Sequence, residues 1–108
     1  MLIQNTDRVV TSLSKLLPDA FVFVIDTTDR TFLFKSSEKS PCQKAILQLD
    51  TEIGIDNAAK ADGHFVRSFY SREIGMKSLA TNTFVGYCVV SPDACPDALQ
   101  TARQTVIS

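Results

Sequence analysis

Side chains with the capacity for chemistry are few in this chain and far apart. His64 is the single histidine among 108 residues, so any Ser-His-Asp or Cys-His arrangement must pass through it. It follows Gly63 at the start of a strand, no sequence neighbour gives it a partner, and it reads as a strand-edge residue. Cys42, Cys88 and Cys95 are odd in number and lack CxxC spacing, and with His64 they form no zinc or haem pattern. Cys88 stands inside an apolar strand, where a thiol behaves as a small buried hydrophobe. The carboxylates Asp26, Asp29, Asp50, Glu52, Asp56 and Asp62 do not fall into a DxDxDG calcium loop. Asp26 and Asp29 read as turn residues, whose side chains bond nearby backbone amides. Gly54, Gly63, Gly75 and Gly86 are isolated and build no phosphate-cradling loop. Gly75 and Gly86, lying inside strands, mark a bulge or close packing. The reading is therefore of no catalytic residue, no metal ligand and no cofactor.

One cluster is suggestive. Arg67 and Arg72 lie with Phe69 and Tyr70 on one hairpin, and basic-aromatic hairpins can stack on bases. A nucleic-acid surface also needs a basic excess, however, and the net charge is −1 with Lys and Arg scattered. A protein contact fits better. Hydrophobic residues make up 44% and charged residues 21%, the balance of an ordinary folded domain and not of a disordered chain. The length supports one core, hence a single domain over residues 1–108. No apolar stretch approaches the roughly 20 residues of a membrane span. The start, Met1-Leu2-Ile3-Gln4-Asn5-Thr6-Asp7, lacks the basic and apolar regions of a signal peptide. With unpaired cysteines, the expected location is the reducing cytoplasm.

The elements that would position these groups follow from periodicity. Asn5 or Thr6 can cap a helix running to about Leu17, whose apolar face is Val9, Val10, Leu13, Leu16 and Leu17. Residues 20–25 and 31–35 are strands separated by a polar turn, a hairpin. Ser40 as cap and Pro41 as first residue open a second helix with the stripe Cys42, Ala45, Ile46, Leu49 and Ile53. Gly54 interrupts it, Asp56 restarts a short turn, and Ala58, Ala59 and Ala61 add small residues that would let a second helix approach. Residues 64–70, 73–80 and 84–90 read as three consecutive strands, with turns at Ser71-Arg72 and Thr81-Asn82-Thr83. A last helix starts near Pro96 and carries Ala98, Leu99, Ala102, Val106 and Ile107. Residues 20–25 and 84–90 are apolar at both parities, which a strand with one wet face does not tolerate. They are expected in the sheet centre, with the more polar 73–80 further out and 64–70 at an edge. The fold class is thus α+β, a five-stranded antiparallel sheet with helices on both faces, in the order α-β-β-α-β-β-β-α.

That order, the opening from Leu13 through the hairpin to Lys35 with Ile25-Asp26-Thr27-Thr28-Asp29 in its turn, and the compact triple strand from His64 to Pro92 resemble the roadblock family. That family comprises the dynein light chains and related GTPase-regulating scaffolds, and the resemblance covers nearly the whole chain. Roadblock-like sequences usually place glycine in the first hairpin turn, where Asp29-Arg30 stands here. The resemblance implies a non-enzymatic dimerising scaffold or adaptor, a homodimer or a heterodimer with a related subunit, with a small GTPase among its partner classes. It also implies that the middle helix and the strand from His64 pair with the same elements of the partner. The interface residues would then be Ala45, Ile46, Leu49, Ile53 and Ala58 from the helical segment, with His64, Val66, Arg67, Ser68 and Tyr70 from the strand. The alternative resemblance is to a PAS-like sensor domain. It implies a small ligand held between sheet and helices near Ile46, Leu49, Phe69 and Tyr87.

Overall fold

Residues 4–38 and 40–107 are described by the computed structural model. Helix α1 (Gln4–Leu16) leads into the hairpin β1 (Phe21–Asp26) and β2 (Thr31–Lys35). Helix α2 (Ser40–Glu52) and the short α3 (Ile55–Ala59) come next. Strands β3 (His64–Phe69), β4 (Arg72–Ala80) and β5 (Thr83–Val89) then form a meander, and α4 (Pro96–Ile107) closes the chain. The strands make one antiparallel sheet in the order β2-β1-β5-β4-β3.

The doubly apolar strands sit where their composition requires. Phe21 to Ile25 of β1 are buried at every position, as are Phe84 to Val89 of β5. Alternation then divides them between two cores. Phe21, Phe23, Ile25, Ile74, Met76, Phe84 and Cys88 pack beneath α2 and α3, with Cys42, Ile46, Leu49 and Ile55 above them. Val22, Val24, Val85, Tyr87 and Val89 face the other way, under Leu13 and Leu17 of α1 and Leu99, Ala102 and Val106 of α4. Each such side chain contributes about 1.5–3 kcal/mol on burial, so neither face is dispensable. This is the three-layer arrangement that the roadblock resemblance implies. It departs from the PAS-like alternative, because helices cover both faces of the sheet. Ile46, Leu49 and Phe69 also lie on the α2–α3 face while Tyr87 lies on the opposite one, so these four cannot line a common ligand cavity.

Three local expectations are corrected. Asn5 and Thr6 lie within the first turn of α1 and not ahead of it; Thr6 is buried. The helical segment does break at Gly54 (φ 91°), but α3 restarts at Ile55, whose N–H donates to Asp50 Oδ1 at 2.9 Å. Strand β4 lies between β5 and the edge strand β3, where its composition placed it, and its residues 73–76 are buried under helices on both faces. The β3–β4 turn is Tyr70-Ser71 and not Ser71-Arg72, with Phe69 paired to Arg72 across it.

Candidate protein–protein interface

A five-stranded sheet has two edges, and this molecule treats them differently. In β2 the register with β1 skips a residue: Val24 pairs with Phe34 and Ile25 with Phe32. Leu33 is left unpartnered and 53% exposed. The bulge lets Phe32 join the α2–α3 core and Phe34 the α1–α4 core, and it twists the edge away from intermolecular pairing. Strand β3 has no such device. Its six residues keep an unbroken register with β4, from His64↔Lys77 to Phe69↔Arg72, and among the described residues no strand lies on its outer side.

Burial fixes how β3 is mounted. Phe65 and Phe69 point into the α2–α3 core and hold the strand down. His64 and Val66 are half-buried on the opposite face, and Arg67 and Ser68 are exposed. The His64 ring makes no hydrogen bond to another described residue. Among the described residues, no group of three His, Cys, Asp or Glu side chains could hold a metal ion.

The hairpin tip next to this edge is strained and pinned. Tyr70 (φ 49°) and Ser71 (φ 67°) both adopt positive φ, the mirror-image twist that two-residue hairpins need and that Asn-Gly usually supplies. A tyrosine there is an outlier. Its hydroxyl donates to Glu52 Oε2 at 2.9 Å, and its ring meets Phe69 edge-on at 4.5 Å. The hydrogen bond to Glu52, reinforced by the carboxylate's charge, holds the Tyr70 hydroxyl above the usual phenol range. Gln48 Nε2 donates to the same carboxylate. Tyr70 is nevertheless 63% exposed.

Beside it lies a shallow notch of about 520 Å³ lined by Pro41, Lys44, Ala45, Gln48, Tyr70 and Arg72. Arg72 Nη1 donates to the Tyr70 carbonyl at 3.3 Å, while its Nε is buried without an acceptor among the described residues. Neither Lys44 nor Arg72 has a carboxylate within ion-pair distance there. The notch thus sets Lys44 and Arg72 beside Tyr70 and Gln48, which both bond the Glu52 carboxylate, at one end of an open strand edge.

On the other face, a polar network ties α4 to the sheet behind β3. Glu73 accepts from the Tyr87 hydroxyl at 2.7 Å and from Arg103 Nη2 and Nε at 2.7 and 2.8 Å. Burial alone would raise the Glu73 carboxyl, but the hydrogen bonds from Arg103 and Tyr87 and the guanidinium charge outweigh it, so the carboxyl lies below the usual range. Burial, then the bond to Glu73, pushes the Tyr87 hydroxyl far up. Gly75 makes the network possible: a Cβ there would stand 2.5 Å from the Tyr87 ring. A sequence signal for it existed, since a carboxylate in a strand with both faces covered must find a cation.

The residues expected at an interface separate into two groups. His64, Val66, Arg67, Ser68 and Tyr70 do lie along one edge and its turn. Ala45, Ile46 and Leu49 turn into the core, and Ile53 and Ala58 pack half-buried against it; the Ala61 side chain lies outside the described residues. What α2 offers beside the edge is Lys44, Gln48 and Glu52.

No protein-family model and no curated protein sequence matches the chain. Among solved structures it is similar to Myxococcus xanthus MglB, at 10% identity and a TM-score of 0.48, over 99% of this chain and 90% of that one.

Proposed function

We propose that this protein is a non-enzymatic adaptor that works by adding a partner strand to β3. The observation that carries the reading is the contrast between the two sheet edges. One is broken by a bulge; the other offers six residues in regular register with no further strand outside it among the described residues. An open edge of that kind is a template for strand addition, and proteins that do not use such an edge blunt it. The resemblance of the sequence to the roadblock family supports the same strand as a dimer seam, with two sheets fused into one. It also supports a small GTPase as the class of protein such a dimer serves, in the cytoplasm.

Light scattering across a concentration series tests the first step. The wild-type chain is expected to form a dimer at micromolar concentration. Val66→Lys, which puts an ammonium on the half-buried outer strand, is expected to give a folded monomer. A wild-type chain that stays monomeric at every concentration would remove the reading.

A further inference from the structure

We infer that the cleft where α1 ends and β5 leaves the sheet is a docking site for a partner polypeptide. The partner seats one apolar side chain there and sets flanking lysine or arginine residues over the carboxylates at the mouth. It is a second contact surface, distinct from the β3 edge and independent of it. The cleft has a volume of about 390 Å³ and is lined chiefly by Leu16, Leu17, Ala20, Val89, Val90 and Cys95. That size falls within the roughly 300–1,000 Å³ of clefts that hold a specific ligand. Its floor is fixed, because Leu17 and Val89 belong to the core beneath α1 and α4. Its rim is left in water: Val90 is 50% exposed, directly after a run from Phe84 to Val89 that is buried throughout. An apolar anchor from outside would desolvate that rim, as the central residue of an interface does.

Charge says what accompanies the anchor. Residues 15–20 and 89–97, which supply the walls, hold Asp19, Asp93 and Asp97 against the single cation Lys15, although the whole chain carries only −1. All three carboxylates are exposed. Asp93 and Asp97 have no cation within ion-pair distance among the described residues. Asp19 has an interaction partner within the chain, and a carboxylate keeps further acceptor sites for a second donor. The C-terminal carbonyls of α1 end at Leu16, in the wall itself, and add negative potential there. The N-terminus of α4 at Pro96 opposes them, but Asp97 in its first turn offsets that positive end. The three carboxylates belong to the α1–β1 loop, the turn after β5 and the start of α4. A single small cation meets one of these segments, whereas residues on either side of an anchor meet several. The complementary partner is therefore a basic and apolar stretch of polypeptide.

Cys95 provides the reporter. Cys42 and Cys88 are buried, whereas Cys95 is half-buried in the cleft wall, so a neutral alkylating reagent such as iodoacetamide reaches it first. The probe is the capped peptide Ser-Lys-Leu-Leu-Lys-Ser. It is expected to slow Cys95 alkylation saturably, read by mass spectrometry, while Ser-Glu-Leu-Leu-Glu-Ser and Ser-Lys-Ser-Ser-Lys-Ser leave the rate unchanged. The double change Asp93→Lys and Asp97→Lys, at exposed positions, is expected to weaken the lysine peptide at least about tenfold by isothermal titration calorimetry, because facing like charges suppress association. The same chain should admit the glutamate peptide instead. Val90→Ser, which removes apolar surface from the rim, should weaken the lysine peptide as well, and circular dichroism confirms that each variant folds. Protection by none of the peptides overturns the proposal, as does protection by hexylamine alone, which would make the cleft a small-molecule site. Equal binding of the lysine peptide by the charge-reversed chain overturns it too. Val66→Lys is expected to bind the peptide as the wild type does, so failure of strand pairing at β3 and failure of the cleft are read separately. Loss of binding in that variant would overturn the cleft's independence of β3.

Discussion

Glu73 has more consequences per atom than any other side chain in the molecule. It is 6% exposed, yet it is charged, and it is kept so by two hydrogen bonds from Arg103 and one from Tyr87. Because its folded carboxyl lies below its ordinary value, it stabilises the fold fully above the unfolded carboxyl range. That contribution fades as pH falls from about 4.5 through the depressed folded value. Glu73→Gln is expected to cost about 1–3 kcal/mol, the penalty for leaving partly buried donors poorly matched and with Arg103 still reaching water. It should also flatten the acid limb of stability against pH, measured by urea denaturation across that range. Gly75→Ala attacks the same network from the backbone side. With the new methyl 2.5 Å from the Tyr87 ring, overpacking should cost about 1–3 kcal/mol. Combining it with Tyr87→Leu should cost less than the sum of the two single changes, because the clashing ring is gone. Such a network was only half legible from residue types. Glu73 could be flagged as a charge in a covered strand, but Arg103 lies thirty positions away on a helix whose docking angle no spacing rule gives.

At the scale of elements, the chain's turns read differently from its strands. The strands announced themselves by alternation or by unbroken apolar runs, and β1, β2 and β5 fall within a residue of their periodicity. Turn geometry was less visible because three positive-φ positions in the hairpin turns are filled by residues that seldom adopt it. Arg30 (φ 57°) stands where roadblock-like sequences usually carry glycine, and its Nε–Asp50 ion pair at 2.8 Å holds it there. Tyr70 is held by Glu52. Ser71 (φ 67°) has no side-chain hydrogen bond to a described residue, so its strain is uncompensated. Ser71→Gly is therefore expected to stabilise the hairpin by about 1 kcal/mol, the usual left-handed penalty for a residue with a Cβ. Arg30→Gly should gain far less, because relieving the backbone also removes the Asp50 pair. Thermal denaturation of the two variants side by side distinguishes strain that is anchored from strain that is not. In α2 the 3.6-residue period identifies the inward face but does not say which flank borders an open edge. Here that flank is Lys44, Gln48 and Glu52, polar residues that a search for apolar contacts passes over.

For the whole molecule, the two sheet edges and the two helix layers form one argument. Helices on both faces leave the sheet no lateral protection, so each edge must be blunted, covered or shared. The bulge at Leu33 blunts β2. Nothing among the described residues performs that service for β3, although Phe65 and Phe69 anchor it firmly enough to present its outer rim as a fixed template. If that rim is shared between molecules, folding and association are linked, because a partner that binds only the folded chain stabilises it by mass action. The thermal midpoint of the wild-type chain should then rise with protein concentration, while that of Val66→Lys should stay constant over the same range. At high dilution, where neither chain has a partner, the gap between the two should shrink to the intrinsic cost of the substitution. Val66→Lys on a half-buried position also costs some intrinsic stability, which lowers its midpoint by a fixed amount at every dilution. Only the slope against concentration therefore reports the shared edge. Parallel, concentration-independent midpoints for both proteins would mean that β3 stays solvated and that the molecule tolerates an open edge.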